Sequence, residues 1–193
     1  MSFDALPASA AWSHQGARSG FEVAYVNDLD GGWTLTGCTT AIEDGRPWIV
    51  GYEISVDADW ITRSAWVRSR SHKGARTVDL TADGYGHWWV DGVPAPDLDG
   101  CLDLDLESSA LTNAFPIHRL GLDGGQAASA PAAYVHAIDL QVSRLEQGYT
   151  RTDGGGGRQR YGYTAPAFDF SCELVYDEAG LVLTYPGIAV RAA

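Results

Sequence analysis

The sequence has few basic residues. Its 193 residues include 13 Lys and Arg against 25 Asp and Glu, which gives a formal net charge of −12 and a pI near 4.6. Nucleic acids and anionic membrane surfaces attract proteins that carry an excess of Lys and Arg. The overall composition therefore argues against both as partners, and it predicts a protein that binds no nucleic acid.

Cysteine is scarce and histidine is scattered. Cys38, Cys101 and Cys172 lie far apart and form no CxxC spacing, so they offer no framework for disulfides or for a zinc site. The five histidines show no zinc-binding pattern either. We predict reduced cysteines, no metal site and no cofactor.

Long apolar runs are also missing from the sequence. A membrane-spanning helix needs about 18 or more consecutive apolar residues, and no such stretch occurs. The first residues, MSFDALPASAAWSHQG (1–16), have neither the basic start nor the continuous apolar stretch of a signal peptide. The sequence therefore predicts a cytoplasmic protein without a transmembrane segment.

Helical periodicity is rare, whereas the alternation of apolar and polar residues that is typical of β-strands is frequent. In PWIVGYEISV (47–56), the residues from Trp48 to Val56 alternate in this way, and 77–92 reads as a hairpin with Asp-Gly turns. We predict a mainly β protein with one domain over residues 1–193, built as an antiparallel curved sheet or half-barrel.

Two segments depart from the strand pattern. ESSALTNAF (107–115) predicts one short helical insertion, with Ser108 or Ser109 as N-cap and Pro116 ending the helix. DGGGGRQR (153–160) predicts a flexible loop between two strands.

Two carboxylates alternate with leucines in CLDLDL (101–106). On a strand, Asp103 and Asp105 project from the same face, opposite the leucines. Such a pair could coordinate a divalent cation or share a proton, and His118 nearby would add an acid–base group. A solvent-facing acidic edge or a structural ion pair gives the same pattern, and a DxD motif alone does not separate these alternatives.

Arg63 lies in phase with the apolar residues of the segment 60–70, so we expect it on the apolar face of its strand. An arginine on such a face needs a carboxylate partner or a ligand. Glu53, Asp103 and Asp105 are the candidate partners, and the two aspartates are favoured.

Aromatic residues exceed what a core of this size requires. The chain has seven Trp and nine Tyr, mostly in predicted strands. Aromatic rings stack on sugars and line apolar ligand cavities, although packing in the core is the alternative for each of them. Trp60, Tyr149 and Tyr185 are therefore candidate ligand contacts.

Four short elements together resemble a known family. They are D-x-x-W-x-T-R (57–63), G-C-x-D-x-D (100–105), T-N-x-x-P-I-x-R-L (112–120) and the closing Y-P-G (185–187). From Trp12 to Arg191 the sequence resembles the bacterial "putative glycolipid-binding" protein family. The resemblance implies a β-rich half-barrel with a short helix around a cavity, similar to bacterial lipoprotein carriers of the LolA kind.

The favoured hypothesis is a binding protein that holds the apolar tail of an amphipathic ligand, such as a glycolipid, and orders its polar end with charged and amide groups. One alternative is a hydrolase or transferase that acts on a sugar or lipid through the Asp103/Asp105 pair. Another is an interaction module that binds a protein. The candidate ligand contacts are Glu53, Trp60, Arg63, Asp103, Asp105, Asn113, His118, Arg119, Tyr149 and Tyr185.

Overall fold

The computed structural model describes residues 3–16, 18–152 and 158–193, and β-strands dominate it. The strands are β1 (Ser9–His14), β2 (Arg18–Leu29), β3 (Gly32–Glu43), β4 (Arg46–Asp57), β5 (Thr62–Ser71), β6 (Gly74–Ala82), β7 (Trp88–Val90), β8 (Val93–Pro94), β9 (Asp103–Leu106), β10 (Ala127–Ser129), β11 (Ala132–Val135), β12 (Val142–Leu145), β13 (Gly148–Thr152), β14 (Gln159–Ala165), β15 (Phe170–Tyr176), β16 (Val182–Tyr185) and β17 (Ala189–Arg191). The loop predicted for 153–160 falls, over its first five residues, outside the described residues.

Fourteen of these strands form one large sheet in the order β10-β13-β14-β15-β16-β17-β1-β2-β3-β4-β5-β6-β7-β8. All neighbouring pairs in this sheet are antiparallel. The sheet is curved but not closed into a barrel. The mainly β fold and the curved antiparallel sheet predicted from the sequence are therefore confirmed.

Asp-Gly pairs form tight turns between neighbouring strands. Asp44 and Gly45 join β3 to β4 with φ angles of 50° and 71°, and Asp91 and Gly92 join β7 to β8 with 50° and 77°. A two-residue hairpin turn of type I′ needs positive φ at both central residues, which Asp and Gly adopt readily.

Each long strand buries one face and exposes the other. In β4 the alternating residues Trp48, Val50, Tyr52, Ile54 and Val56 are all buried, as their spacing predicts. We call the face that carries them the inner face of the sheet and the opposite one the outer face. This division is typical of antiparallel sheets that pack against a core on one side.

A second, smaller sheet has the order β12-β11-β9, and its β9–β11 pair is parallel. The antiparallel arrangement expected throughout the chain thus has one exception. All four residues of β9 are buried, so its leucines and its aspartates are both covered. Asp103 and Asp105 do not form a solvent-facing acidic edge.

The helical insertion begins later than the sequence predicts. A 3-10 turn (Leu111–Asn113) leads into helix α1 (Ala114–Leu120), so the prediction of a helix over 107–115 ended by Pro116 is wrong. Pro116 is the third residue of α1, where backbone N–H groups have no partner within the helix, and a proline there removes no hydrogen bond. Among the described residues, no helix is both long and apolar enough to cross a membrane.

Glu22 fixes this insertion, which we call the plug (residues 108–120), to the inner face of the sheet. The Glu22 side chain is fully buried and accepts hydrogen bonds from Tyr52 Oη at 2.7 Å, Ser109 Oγ at 2.5 Å and the Ala110 N–H at 2.7 Å. Burial raises the pKa of Glu22, and these hydrogen bonds oppose the shift. The plug therefore occupies much of the space that the curved sheet surrounds.

Candidate functional site

A pocket of about 260 Å³ remains beside the plug, and we call it the Asp105 pocket. The strands β9, β11, β12, β14, β15 and β16 contribute side chains to it, together with the start of β2 and the first half of the plug. Its polar lining residues are Arg18, Asp105, Glu107, Ser109 and Asn113, and its aromatic lining residues are Tyr134, Tyr163, Phe168, Phe170 and Tyr185. The pocket is therefore lined both by residues that the sequence predicted as ligand contacts and by residues that it did not.

The aromatic wall of the pocket is a set of rings in mutual contact. The ring centroids of Tyr163 and Tyr185 lie 5.9 Å apart, those of Phe170 and Tyr185 6.1 Å, and those of Tyr163 and Phe170 6.2 Å, all in edge-to-face orientation. Tyr134 and Phe168 form another pair at 5.6 Å. Such contacts hold the rings in defined positions and leave apolar faces toward the pocket.

Asp105 supplies a buried carboxylate to this pocket. Its oxygens accept hydrogen bonds from Thr112 Oγ1 at 3.0 Å and from Gln147 Nε2 at 2.5 Å, and the same Gln147 amide lies 3.0 Å from Tyr163 Oη. Burial raises the pKa of Asp105 to about 6, the hydrogen bonds from Thr112 and Gln147 oppose the shift, and the charges of Asp103 and Glu107 add to it. The carboxyl group therefore changes its charge near pH 6 and is mostly ionised at neutral pH.

This pKa has a consequence for stability that can be measured. The unfolded chain loses the Asp105 proton near pH 3.8, whereas the folded protein keeps it until about pH 6, so the folded state binds more protons in this window. The contribution of Asp105 to folding stability should fall by about 2–3 kcal/mol as the pH rises from 4 to 6, whereas His14 and His118, whose pKa values burial lowers to about 4, change stability in the opposite direction. We therefore expect the difference in unfolding free energy between the wild type and Asp105→Asn, measured by urea unfolding, to change by this amount between pH 4 and pH 6; a difference that stays constant would contradict the assignment.

Arg18 lies at the rim of the pocket and connects two acidic side chains. Its Nη1 donates to the Glu107 carbonyl oxygen at 2.9 Å, and its Nη2 lies 3.4 Å from Glu107 Oε1 and 3.5 Å from Glu43 Oε1. The guanidinium also stacks over the ring of Trp48 at 5.4 Å. One cation is shared by two carboxylates, so the pocket and its rim hold more acceptors than positive charge.

Asp103, the other aspartate of β9, has a different environment. Arg119 Nε and Nη2 donate to its two oxygens at 2.9 and 2.5 Å, and the two side chains are 14% and 2% exposed for Arg119 and Asp103 respectively. Burial raises the pKa of Asp103, and the hydrogen bonds and charge of Arg119 oppose the shift. Neither residue lines the Asp105 pocket, so this pair is a buried structural ion pair.

Asn113 and Tyr149 contact each other at the inner edge of the site. Tyr149 Oη donates to Asn113 Oδ1 at 3.3 Å, and Tyr176 Oη donates to the Asn113 carbonyl oxygen at 3.1 Å. Asn113 lines the Asp105 pocket, whereas Tyr149 is fully buried behind it. Tyr149 therefore orients Asn113 from the core.

Trp60 and His118 meet at a separate space of about 690 Å³. Their rings stack at 3.8 Å with an interplanar angle of 11°, Trp33 lies 4.7 Å from Trp60, and Phe3 lies 4.0 Å from His118. Burial lowers the pKa of His118 to about 4, and a hydrogen bond with the Ala179 carbonyl oxygen opposes the shift. His118 is therefore neutral at physiological pH and does not pair with the aspartates of β9.

Glu53 and Arg63, like Asp103, Arg119 and Tyr149, are predicted contacts that line neither space. The register of β4 and β5 skips Arg63 as an extra residue between Thr62 and Ser64, and this β-bulge buries Thr62 and turns Arg63 outward. Arg63 pairs with Asp57 at 2.7 Å, so the prediction that it partners the β9 aspartates is wrong. Glu53 is exposed on the outer face of β4 and lines neither space.

Several residues of the site were missed in the sequence. Phe168 and Phe170 belong to an alternating apolar pattern that predicts a strand from 168 to 176, but β15 begins at Phe170 and Phe168 lies in a 3-10 turn (Pro166–Phe168). The pattern does not predict that either residue lines a pocket. Gln147 and Arg18 carry no sequence signal at all, because they meet Asp105 and Glu107 only through the tertiary fold. Among the described residues, no group of three or more His, Cys, Asp or Glu is arranged to hold a metal ion.

Comparisons with known proteins agree with this architecture. The model of a family described as "Putative glycolipid-binding" matches residues 9–191. The crystal structure of a DUF1089 family protein from Pseudomonas aeruginosa is similar, with 37% sequence identity, coverage of 86% of this chain and 90% of that chain, and a TM-score of 0.74. A beta-barrel-like protein of the domain of unknown function DUF1849 from Brucella abortus shares the fold alone, at 12% identity, with coverage of 98% and 96% and a TM-score of 0.56. No protein with a curated description matches the chain.

Proposed function

Because the chain belongs to the putative glycolipid-binding family, we propose that it is a binding protein for a glycolipid or a similar amphipathic ligand, whose sugar occupies the Asp105 pocket. The observation that carries this proposal is the combination of a buried carboxylate, an amide and an aromatic wall in one pocket. No cofactor and no chemical step are needed for this function.

The chemistry of the pocket suits a neutral sugar. Sugar hydroxyls donate hydrogen bonds, and Asp105, Asn113 and Glu107 present oxygen acceptors to them. The apolar face of a sugar ring packs well on aromatic rings such as Tyr163 and Tyr185. Because Arg18 is shared by two carboxylates, an anionic headgroup would meet net repulsion here, which favours an uncharged sugar.

The size of the pocket limits what it can hold. Its volume of about 260 Å³ lies below the range of roughly 300–1,000 Å³ that is common for drug-sized ligands. One sugar ring fits such a volume, and a complete glycolipid does not. The apolar tail would therefore leave past Phe168, which lines the pocket and is 53% exposed. Carriers of the LolA kind offer an analogy for this use of a curved sheet, and that analogy stays a prediction.

The alternative functions receive less support. A hydrolase or transferase that uses Asp103 and Asp105 together requires both carboxylates at one substrate, but Arg119 holds Asp103 outside the pocket. An interaction module without a ligand site would have its concave side filled, and the plug fills much of it but leaves the Asp105 pocket open.

Phe168→Ala tests the proposal at a low cost in stability. Removing an exposed aromatic wall should weaken binding by about tenfold, since a good aromatic contact in a binding site contributes on the order of 1–2 kcal/mol. Binding is measured by thermal shift and native mass spectrometry with a panel of neutral glycolipids and their sugar-free lipid counterparts.

The matched control is Tyr85→Ala, because Tyr85 is 87% exposed and does not line the pocket. This variant should bind like the wild type. If no glycolipid shifts the thermal transition of the wild type, or if both variants lose affinity equally, the proposed site is wrong.

A further inference from the structure

The outer face of the sheet exposes large apolar side chains in one place. Phe21 is 41% exposed, Ile42 52% and Ile49 41%, and all three belong to the neighbouring strands β2, β3 and β4. In β2 the more apolar alternate residues point outward, because the inward position of Glu22 is used to bind the plug. Exposed apolar patches of this kind on a protein mark interaction sites more often than chance placement.

Two arginines stand beside these apolar residues on the same face. In the register of the sheet, one row across the strands runs from Phe21 through Thr40 and Ile49 to Arg70. The next row runs from Val23 through Cys38 and Gly51 to Arg68. We call Phe21, Ile42, Ile49, Arg68 and Arg70 the outer patch.

Neither of these two rows contains an acidic residue, and nor does the adjacent row of Ser19, Ile42 and Pro47, to which Ile42 belongs. The first carboxylates on this face, Glu53 and Asp79, stand in the following row, where both are paired in register with Trp66. Within the described part of the chain, no ion pair joins Arg68 or Arg70 to a carboxylate, although eight ion pairs of other Arg and Lys side chains form elsewhere. In a protein of net charge −12, two exposed arginines without a carboxylate partner form a local region of positive charge.

Gly51 shapes the surface under these arginines. A Cβ atom at this position would lie 3.1 Å from Arg68 Nε, so the absence of a side chain lets Arg68 lie flat against the sheet. Shallow spaces of about 730 and 500 Å³ extend along the face on either side of Ile49 and Arg70, which line both of them. The patch is therefore a broad and nearly flat surface and not a deep pocket.

We propose that the outer patch docks the protein reversibly on an anionic membrane surface. Guanidinium groups bind lipid phosphates, and Phe21, Ile42 and Ile49 would enter the boundary between headgroups and acyl chains. Tyr25 and Trp66, which are 57% and 40% exposed in the following row, are residue types enriched at that boundary.

The net negative charge does not prevent this contact. Charges more than about 8–10 Å from the membrane are largely screened at physiological ionic strength, so the face in contact decides the interaction. The sequence separates the charges, since Arg63, Arg68, Arg70, Lys73 and Arg76 follow one another without an acid, and eight acids occupy 79–107 without a base. The average composition argues against an anionic membrane, and the outer patch is the local exception.

A second copy of this chain is a less suitable occupant of the patch. In a two-fold symmetric contact the same patch faces itself, so Arg68 and Arg70 would approach their own counterparts without a carboxylate between them. An anionic bilayer instead matches both the charge and the apolar side chains.

The proposed function explains why the protein would bind a membrane, because a protein that binds a glycolipid must reach its ligand there. The membrane inference rests on the proposed function in this respect only. The test uses vesicles without any glycolipid. Wild-type protein should co-sediment with phosphatidylcholine vesicles that contain one-third phosphatidylglycerol, should not co-sediment with pure phosphatidylcholine, and should dissociate at high salt.

The variant Arg68→Gln/Arg70→Gln should weaken binding to the mixed vesicles by about 30-fold, since each arginine near an anionic surface is worth about 1 kcal/mol and 1.4 kcal/mol is tenfold. Arg158→Gln/Arg160→Gln removes the same charge outside the patch, from the exposed Arg158 and the half-buried Arg160, which pairs with Glu173, and should bind like the wild type. Ile42→Ser/Ile49→Ser should also weaken binding, with the salt dependence unchanged.

Three outcomes would overturn the inference: no binding of the wild type to the mixed vesicles, an equal loss in both arginine pairs, or a dimer in sedimentation velocity that Ile42→Ser/Ile49→Ser abolishes. None of them bears on the sugar pocket, because glycolipid binding is measured separately by thermal shift in detergent. A Phe168→Ala variant that still binds the mixed vesicles normally would confirm that the two sites are independent.

Discussion

Asp103→Ala is expected to lower the free energy of unfolding by about 3–5 kcal/mol, because it leaves the charge of Arg119 uncompensated in a largely buried position. Arg119 now donates two hydrogen bonds to Asp103 and its side chain is only 14% exposed. Burial alone would lower the pKa of Arg119, but the hydrogen bonds and charge of Asp103 raise it, so the guanidinium keeps its charge. Urea unfolding at neutral pH, followed by tryptophan fluorescence, measures the loss.

The double variant Asp103→Ala/Arg119→Met separates the cost of a lone charge from the value of the pair. It removes both charges, so it should be more stable than Asp103→Ala alone by at least 1 kcal/mol. Arg63→Met provides the comparison with an ion pair at the surface, since Arg63 and Asp57 are 43% and 20% exposed in their side chains. That change should cost less than about 1 kcal/mol. If Arg63→Met and Asp103→Ala lowered the free energy of unfolding equally, burial of the Asp103–Arg119 pair would not be the cause of the loss in stability.

Glu22→Ala should be destabilising to a similar extent, by about 3 kcal/mol or more. It removes the shared acceptor of Tyr52, Ser109 and Ala110, and a buried donor left without a partner costs about 1–3 kcal/mol. Because these donors belong to the sheet and to the start of the plug, the substitution should also loosen the plug. Urea unfolding gives the stability, and hydrogen exchange of residues 108–120 reports the local change.

Single-donor variants test whether Glu22 acts through these bonds. Tyr52→Phe and Ser109→Ala each remove one donor and leave the carboxylate with its other partners, so each should cost only about 1–2 kcal/mol. Val23→Ala, on the neighbouring outward position of β2, should leave hydrogen exchange of the plug unchanged. Faster exchange over the whole sheet instead of the plug would mean that Glu22 supports global stability and has no special role in holding the insertion.

The sequence predicted the strands well because their alternation is a local property. The buried residues of β4 follow their spacing, and the Asp-Gly turns adopt the positive φ angles that their residues favour. The alternation predicts the wrong buried face where a tertiary contact places a polar residue inside. In β2 the more apolar face points outward, because Glu22 is needed inside as an acceptor for the plug.

For Arg63, the alternation pattern predicted the wrong face of the strand, because one inserted residue shifts the pattern. The β-bulge in the β4–β5 register exchanges the inward and outward positions of the residues before it. No feature of the segment 60–70 predicts this bulge. The pairing of Asp103 with Arg119 could not be predicted from the sequence pattern either. His118 and Arg119 would point to opposite faces in an extended chain, but helix α1 brings Arg119 back onto β9.

The candidate site was predictable only in part. Asp105, Asn113 and Tyr185, three of the predicted ligand contacts, line the Asp105 pocket together. Tyr163 and Gln147 reach the same place from β14 and from the residue before β13, far along the chain. Pairings over such distances are set by the order of strands in the sheet, which the sequence pattern alone does not define.

The pairing of β1 with β17 has a consequence for the order of folding. Strands β2 to β6 form a meander in which each strand pairs with the next through a short connection, so each step closes only a small loop. The contact of Trp12 with Arg191 instead joins residues separated by nearly the whole chain, and its loop-closure entropy is correspondingly larger. The meander can therefore form during synthesis, while β1 keeps one open edge until the last strand is made. Until then, Trp12, Ser13 and His14 lack their hydrogen-bonding partners in β17.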